Sequence, residues 1–357
     1  MIFPREGELH WQWCIGTLTL DGFLMISIIG KTFKFLSVAL VLTSVTAWGC
    51  AAVYFGDSKT EMVQVVMASV FGLSGLATLI GYINNRWRYR LMLGHLILFA
   101  GVMIWWLSIQ PSNDRKWQPD VAELSYATFD GNYVTVHNIR NFEYRSEFDY
   151  RRSYYDKTYD LTKLEGVDLF AVYWMGPTIA HTIVSFHFGG EDYLAVSIEA
   201  RKELNEDYSS IKGFFRQFEL IYVVADERDL IGLRTHFRND PPEDVYLYHL
   251  NPPKESLKPF FLDYMKKINE LRETPGFYDT LLANCTNVIW LHSRVSPNHL
   301  PFSWKILVSG YLPEYLYESG RLDQSVSFNE LQQRAHINLL ARKIGLSPSF
   351  SHRIRSK

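Results

Sequence analysis

Charge is missing from three long stretches of the chain: Phe35–Phe55, Met62–Ile83 and Leu91–Ile109. Each is long enough to cross a hydrocarbon core of about 30 Å as a helix, so the pattern predicts three membrane spans. The second carries Ser69, Gly72, Ser74 and Gly75, small residues that let helices approach closely. The third is interrupted only by His95, which reads either as a functional intramembrane group or as a polar residue satisfied between helices. Lys31 and Lys34 precede the first span, and Arg86, Arg88 and Arg90 lie between the second and third. The Gly56–Glu61 loop has Lys59 as its one basic residue. By the positive-inside rule, the N-terminal segment 1–34 and the arginine loop are cytoplasmic, and everything after Ile109 lies on the far side. Arg115 and Lys116 run against that orientation, whereas Trp105 and Trp106 fit an outer aromatic belt. No basic segment followed by a cleavage site opens the chain, which excludes a cleavable signal peptide. Met25 precedes a more ordinary membrane-protein start, so residues 1–24 are a candidate mis-assigned extension.

After the spans the pattern changes to alternation. Residues 110–125 read as a linker, rich in turn formers from Gln110 to Asp120. Residues 126–345 then form a soluble domain, and 346–357 a basic tail. Tyr133–Val136 and the segment from Tyr144 read as strands, with Asn141–Tyr159 as a surface edge or lid. His181–Phe188 alternates: Thr182, Val184, Phe186 and Phe188 lie on one face, and His181, Ile183, Ser185 and His187 on the less apolar one. Tyr193–Ala200 alternates likewise, with Leu194, Val196, Ile198 and Ala200 opposite Tyr193, Ala195, Ser197 and Glu199. A hairpin must match the apolar faces, and a Gly189-Gly190-Glu191 loop does so by pairing Phe188 with Asp192. That register sets Glu199 across from His181 and Ser197 across from Ile183. Downstream, Ser209–Leu220 reads as a helix, Ile221–Val224 as a strand, Asp226–Asp229 as a charged turn and Val245–Leu250 as a strand. Leu257–Leu271 and Phe328–Ile344 read as further helices, on either side of a loop-like Pro297–Pro313. The fold class is α+β: three N-terminal transmembrane helices, then a domain with an antiparallel sheet and a cysteine-bearing helix.

Composition narrows the function. A formal charge of −2 and a pI near 6.6 argue against a nucleic-acid partner, and 15% aromatic residues suit work near a membrane interface. Cys14, Cys50 and Cys285 are too far apart for a zinc site or a disulfide framework. No glycine-rich phosphate loop, H-E-x-x-H motif or internal repeat occurs, and neither a metal nor an organic cofactor is indicated.

Cys285 is the candidate centre. Leu281, Leu282, Cys285, Val288, Ile289 and His292 recur at helical spacing and could share one helix face. If Asn284 instead caps the helix, Cys285 falls in its first turn, where unpaired N–H groups and the dipole favour a thiolate. A buried cysteine acting as a small hydrophobe is the alternative. In an exported domain Cys285 has no disulfide partner, which marks it as a candidate reactive thiol. His181 is then a candidate general base and Glu199 its orienter, with Asn284, Thr286 and Ser197 as oxyanion or neighbouring support. The histidine-before-cysteine order is compatible with a permuted papain-like arrangement, since such sites are defined by geometry.

Thr178–Phe186, Ser197–Glu203, Ala225–Asp229 and Asn284-Cys285-Thr286 resemble, in that order, motifs of the Lnb N-terminal periplasmic domain family. Pro111–Arg115 and His137–Phe142 resemble the subset of bacterial members with membrane helices in front. The resemblance implies a permuted papain-like domain, related to that of lecithin retinol acyltransferase, with a cysteine–histidine pair at Cys285 and His181. It implies acyl transfer on a phospholipid or lipoprotein at the bacterial inner membrane, with the domain in the periplasm. The family's named acyltransferase couples this domain to further membrane helices, whereas here three spans precede it. Two other readings stand beside it: a cysteine hydrolase or amidase of cell-wall peptide, and a binding or assembly module without turnover.

Overall fold

The computed structural model describes residues 9–56, 61–84 and 86–356, with side chains from Met25 onward except Ser27. Lys59, the start of the expected 1–24 extension and the side chains of the rest of it lie outside the described residues. The chain forms two compact units, Met1–Gln110 and Pro111–Lys357.

In the first unit, helices α1 (Leu9–Phe55), α2 (Glu61–Ile83) and α3 (Arg88–Ser108) each contain a stretch long and apolar enough to cross a membrane; in α1 it is Ile28–Phe55. His95 is buried among all three: Nε2 lies 3.1 Å from Thr46 Oγ1 on α1, and Nδ1 lies 2.9 Å from Ser74 Oγ on α2. Small residues set the spacing, because a Cβ on Gly75 would run into the Thr46 side chain and one on Gly49 into Phe71.

The second unit opens with a docked segment. Ser112 N–H donates to Glu219 Oε1 at 3.0 Å, and Arg115 reaches Glu203 at 2.8 Å and Glu219 at 3.0 Å. The Arg201 guanidinium stacks 4.1 Å over Trp117. Its strands are β1 (Tyr126–Asp130), β2 (Tyr133–Arg140), β3 (Glu143–Tyr144), β4 (Tyr150–Arg151), β5 (Tyr154–Asp160), β6 (Gly166–Tyr173), β7 (Ala180–His187), β8 (Tyr193–Arg201), β9 (Glu219–Ala225) and β10 (Asp244–His249). The main sheet runs β1-β2-β9-β8-β7-β6-β10, with β5 also on β2. It is antiparallel apart from the β2–β9 contact. Helices α4 (Glu227–Gly232), α5 (Lys254–Glu273), α6 (Cys285–Ser293), α7 (Trp304–Leu307), α8 (Leu312–Glu318), α9 (Phe328–Ala335), α10 (Asn338–Ile344) and α11 (Phe350–Arg353) complete it.

Both sheet faces are buried. Val184, Phe186, Val196 and Ile198 pack with Phe261 and Tyr264 of α5 and Val288 of α6. On the other face, Ile183, Ala195 and Val223 pack with Leu230 and Ile231 of α4, Ala341 of α10 and Phe350 of α11. The face carrying His181, Ile183 and Ser185 is therefore covered by helices rather than open, in keeping with the unbroken apolar run Leu220–Ala225 in β9. Ser185 on that face donates to the fully buried Glu227 at 2.5 Å, and Glu227 receives both arms of Arg355 at 2.6 and 2.8 Å. Arg355 also meets Asp168 at 2.7 Å, so the last residues of the chain are tied to β6 and β7.

Three local expectations change. Ser209–Leu220 holds only a short 3-10 turn, Lys212–Phe214, because its backbone is engaged by the 276–280 segment: Thr280 Oγ1 donates to Ser210 O and Tyr278 N–H to Phe218 O. Phe328–Ile344 is two helices, broken where Ile337 N–H donates to Val245 O and Asn338 Oδ1 accepts from Val245 N–H. Asp226–Asp229 starts a helix instead of a simple turn, with the Asp226 carboxylate capping Arg228 N–H at 2.9 Å.

Two stability outcomes follow from these contacts. Gly75→Val should lower the thermal midpoint of the detergent-solubilised full chain through overpacking worth about 1–3 kcal/mol. Gly94→Val, where a Cβ meets nothing within 4 Å, should leave that midpoint unchanged. Arg355→Ala strands a buried carboxylate and should cost the second unit roughly 3–5 kcal/mol, read by urea denaturation.

Candidate active site

The β7–β8 hairpin turns through Gly189 and Gly190, both at positive φ, and Phe188 N–H donates to Asp192 O at 2.9 Å. Ile183 stands opposite Ser197, so His181 and Glu199 lie one ladder step beyond, on the same face. The β7–β8 ladder stops at that pair, although β7 remains paired to β6 as far as Ala180 and β8 to β9 as far as Arg201. The strands part at the level of His181.

The imidazole is held from one side. Ser197 Oγ lies 2.7 Å from His181 Nε2 and donates its hydrogen to Glu199 Oε1 at 2.6 Å, and Glu199 Oε1 is itself 3.2 Å from Nε2. Since the serine hydrogen is committed to the carboxylate, Nε2 carries a proton and donates, which leaves Nδ1 for another partner. Burial alone would lower the His181 pKa. The Glu199 charge outweighs it, with Arg234 opposing and Cys285 adding to the rise, and the group is pushed up to about 9. Glu199 is held well below the usual carboxylate range: burial would raise it, but the His181 charge and hydrogen bond, Arg234 and the Ser197 hydroxyl prevail.

The thiol comes from the opposite sheet face. Asn284 is the N-cap of α6, accepting from Asn287 N–H at 2.9 Å while its amide donates to Thr280 O at 2.7 Å. Leu281 and Leu282 thus precede the helix and are exposed, their N–H groups bonded to Asp279 Oδ1 at 2.8 and 2.7 Å. Cys285 is the first residue of α6 and is buried against β7 and β8. Burial would raise its thiol. The neighbouring His181 charge and hydrogen bond, and hydrogen bonds from the Thr182 N–H and side chain, bring it down to about 6. The positive end of the α6 dipole acts in the same direction. His181, Ser197 and Glu199 are thus joined by hydrogen bonds, and Cys285 lies near enough to the imidazole for its charge to lower the thiol.

The supporting residues divide. Ser197 bridges base and carboxylate, whereas the Asn284 side chain is consumed by capping. Thr286 Oγ1 lies 3.1 Å from Thr182 Oγ1 and 3.7 Å from Cys285 Sγ. Sequence reasoning missed Arg234, a buried guanidinium on a π-helical turn, Leu233–Phe237. It reaches Glu199 at 3.2 Å and Glu243 at 3.2 Å, and Glu243 in turn meets Arg238 at 3.0 Å. A lone cation after the apolar Leu230-Ile231-Gly232-Leu233 run was its signal. Thr182 was missed because it acts through its main-chain N–H, which residue type does not reveal.

Alkylation of Cys285 by iodoacetamide should rise with a midpoint at about pH 6 in the wild type. In His181→Ala the midpoint should move above the ordinary thiol value of about 8.5, because burial is then opposed only by Thr182 and the helix end. An unchanged midpoint would mean that the imidazole does not hold the thiolate.

Residues 150–310 match the family model of the Lnb N-terminal periplasmic domain. No curated protein and no solved structure matches the chain. The matched region includes Cys285, His181, Ser197, Glu199 and Arg234. Over residues 150–310, then, the chain is similar to the Lnb N-terminal periplasmic domain family, and three helices of membrane-spanning length precede that region in the sequence.

Proposed function

We propose that the protein is a membrane-anchored, thiol-dependent acyltransferase with Cys285 as nucleophile, His181 as acid and base, and Glu199 as the group that orients the imidazole. Its substrates are a phospholipid or a lipoprotein, on the periplasmic side of a bacterial inner membrane. The observation that carries this reading is a cysteine opening a capped helix beside an imidazole whose Nε2 is held by Ser197 at 2.7 Å and Glu199 at 3.2 Å, which lowers the thiol pKa and raises that of the ring. That combination is the thiolate–imidazolium state a nucleophilic cysteine needs.

The steps follow from the contacts. The Cys285 thiolate attacks an acyl carbonyl, and the oxygen takes up negative charge against the N–H groups of Cys285 and Thr286 at the helix start. The N–H of Asn287 is taken by the Asn284 side chain, which keeps it from this role. As the carbonyl re-forms, the bond to the leaving alcohol breaks and the His181 imidazolium gives that oxygen its proton. A thioester remains on Cys285, and neutral His181 now accepts the proton of an incoming amine, hydroxyl or water that attacks it. Ser197 and Glu199 keep Nε2 protonated throughout and so aim Nδ1 at the sulfur. The permuted papain-like arrangement belongs to this proposal, as does a cytoplasmic N-terminus, which rests on Lys31, Lys34 and the arginine loop.

The full chain reconstituted with phospholipid should gain one acyl mass on Cys285, sensitive to hydroxylamine and absent in Cys285→Ala. In His181→Ala, thioester formation should slow by about 10²–10⁴-fold. Release of cell-wall peptide fragments without any thioester on phospholipid or lipoprotein would favour the hydrolase reading instead.

A further inference from the structure

We propose that an elongated apolar cavity beside α6 houses the acyl chain while its carbonyl is held at Cys285, and that this cavity selects chain length. The proposal rests on the acyl-transfer reading and names the part of the substrate the domain recognises.

The cavity has a volume of about 130 Å³ and an almost wholly apolar surface. One wall is a single face of α6: Thr286, Ile289, Trp290 and Ser293, spaced by three, four and seven residues. Cys285, Val288 and His292 lie on the adjoining face, against the sheet. Phe260 of α5, Leu169 of β6 and Leu316 of α8 close the other sides. The α6 wall of the cavity runs from Thr286, the residue after the nucleophile, to Ser293, over about 10 Å at ~1.5 Å per residue.

Most of its polar side chains already have a partner: Tyr315, His299 and Arg321 reach Pro301 O, Ser296 O and Asn298 O. Trp290 Nε1 donates to Leu300 O at 2.9 Å, and Ser293 Oγ donates to Trp290 O at 2.7 Å. Ser256 and Ser296 bond to each other at 2.6 Å, and Thr286 is bonded to Thr182 at 3.1 Å. A peptide laid here would leave its own N–H and C=O groups without partners, at a cost that repeats with every residue. A hydrocarbon chain has no such groups. Each methylene it buries gains roughly fourfold in binding. The shape and the satisfied walls thus fit a linear acyl chain and disfavour a peptide.

The test uses the full chain in nanodiscs and acetyl, octanoyl and palmitoyl thioesters as donors, with thioester on Cys285 as the readout. Octanoyl and palmitoyl should acylate Cys285 at least about a hundredfold faster than acetyl at low donor concentration. Ser293→Trp, which fills the cavity at the far end of its α6 wall, should lower the palmitoyl-to-acetyl ratio at least tenfold, and Leu316→Ala should raise the preference for the longest chain. These ratios do not depend on how much of each variant folds. In Cys285→Ala, a diazirine-bearing palmitate should crosslink to peptides containing α6 and α8. Chain-independent acylation, or crosslinks that map elsewhere, would overturn the cavity assignment and leave the thiol chemistry standing. No thioester with any donor, despite crosslinks in the cavity, would strike the acyl-transfer reading first and this proposal with it.

Discussion

A thiolate withdrawn from water must be met by a positive charge and by donors, or it takes up a proton and becomes inert. At Cys285 the surroundings match that demand. The α6 N-terminus supplies a partial positive charge, Thr182 supplies an N–H, and His181 supplies the full charge. His181 can do so only because Glu199 compensates the burial that would otherwise neutralise the ring. Glu199 in turn sits on Arg234, and Arg234 on Glu243, so the site is the inner end of a chain of alternating charges. Remove one member and its neighbours are left buried without compensation.

The same demand explains the break in the sheet. His181 and Cys285 belong to opposite faces, and an unbroken β7–β8 ladder would put the backbone between them. Ending the ladder at Ile183 and Ser197 opens a path between the two faces. Regular pairing is given up over a few residues where the chemistry requires it. The surrounding strands stay paired on both sides, which keeps the opening narrow and its edges fixed.

How far the sequence foretold this depends on the kind of interaction. Strand alternation plus the glycine loop determines the hairpin register, so the His181–Glu199 proximity was legible before any coordinates. The apolar spans were legible because lipid imposes one long uniform pattern. The break of Phe328–Ile344 at His336–Ile337 was not, since it depends on hydrogen bonds to β10, some ninety residues away in sequence. The missing Ser209–Leu220 helix is a case of the same kind. Arg234 escaped notice because a cation's partners are chosen by tertiary placement. The face carrying His181 looked half-exposed because Ser185 and His181 are polar, yet Ser185 is fully buried on Glu227.

The histidine shared by the three apolar helices has its own arithmetic. Thr46 Oγ1 is 2.7 Å from Leu42 O and 3.1 Å from the ring, and Ser74 Oγ is 2.6 Å from Phe71 O and 2.9 Å from the ring. Those are four contacts, yet two hydroxyls and a neutral imidazole bring only three hydrogens between them. One contact always goes without. For a given ring tautomer the vacancy lies on one side, at the hydroxyl–ring or the hydroxyl–carbonyl contact, and turning that O–H moves it between the two; moving it to the other helix requires the ring proton to change nitrogen.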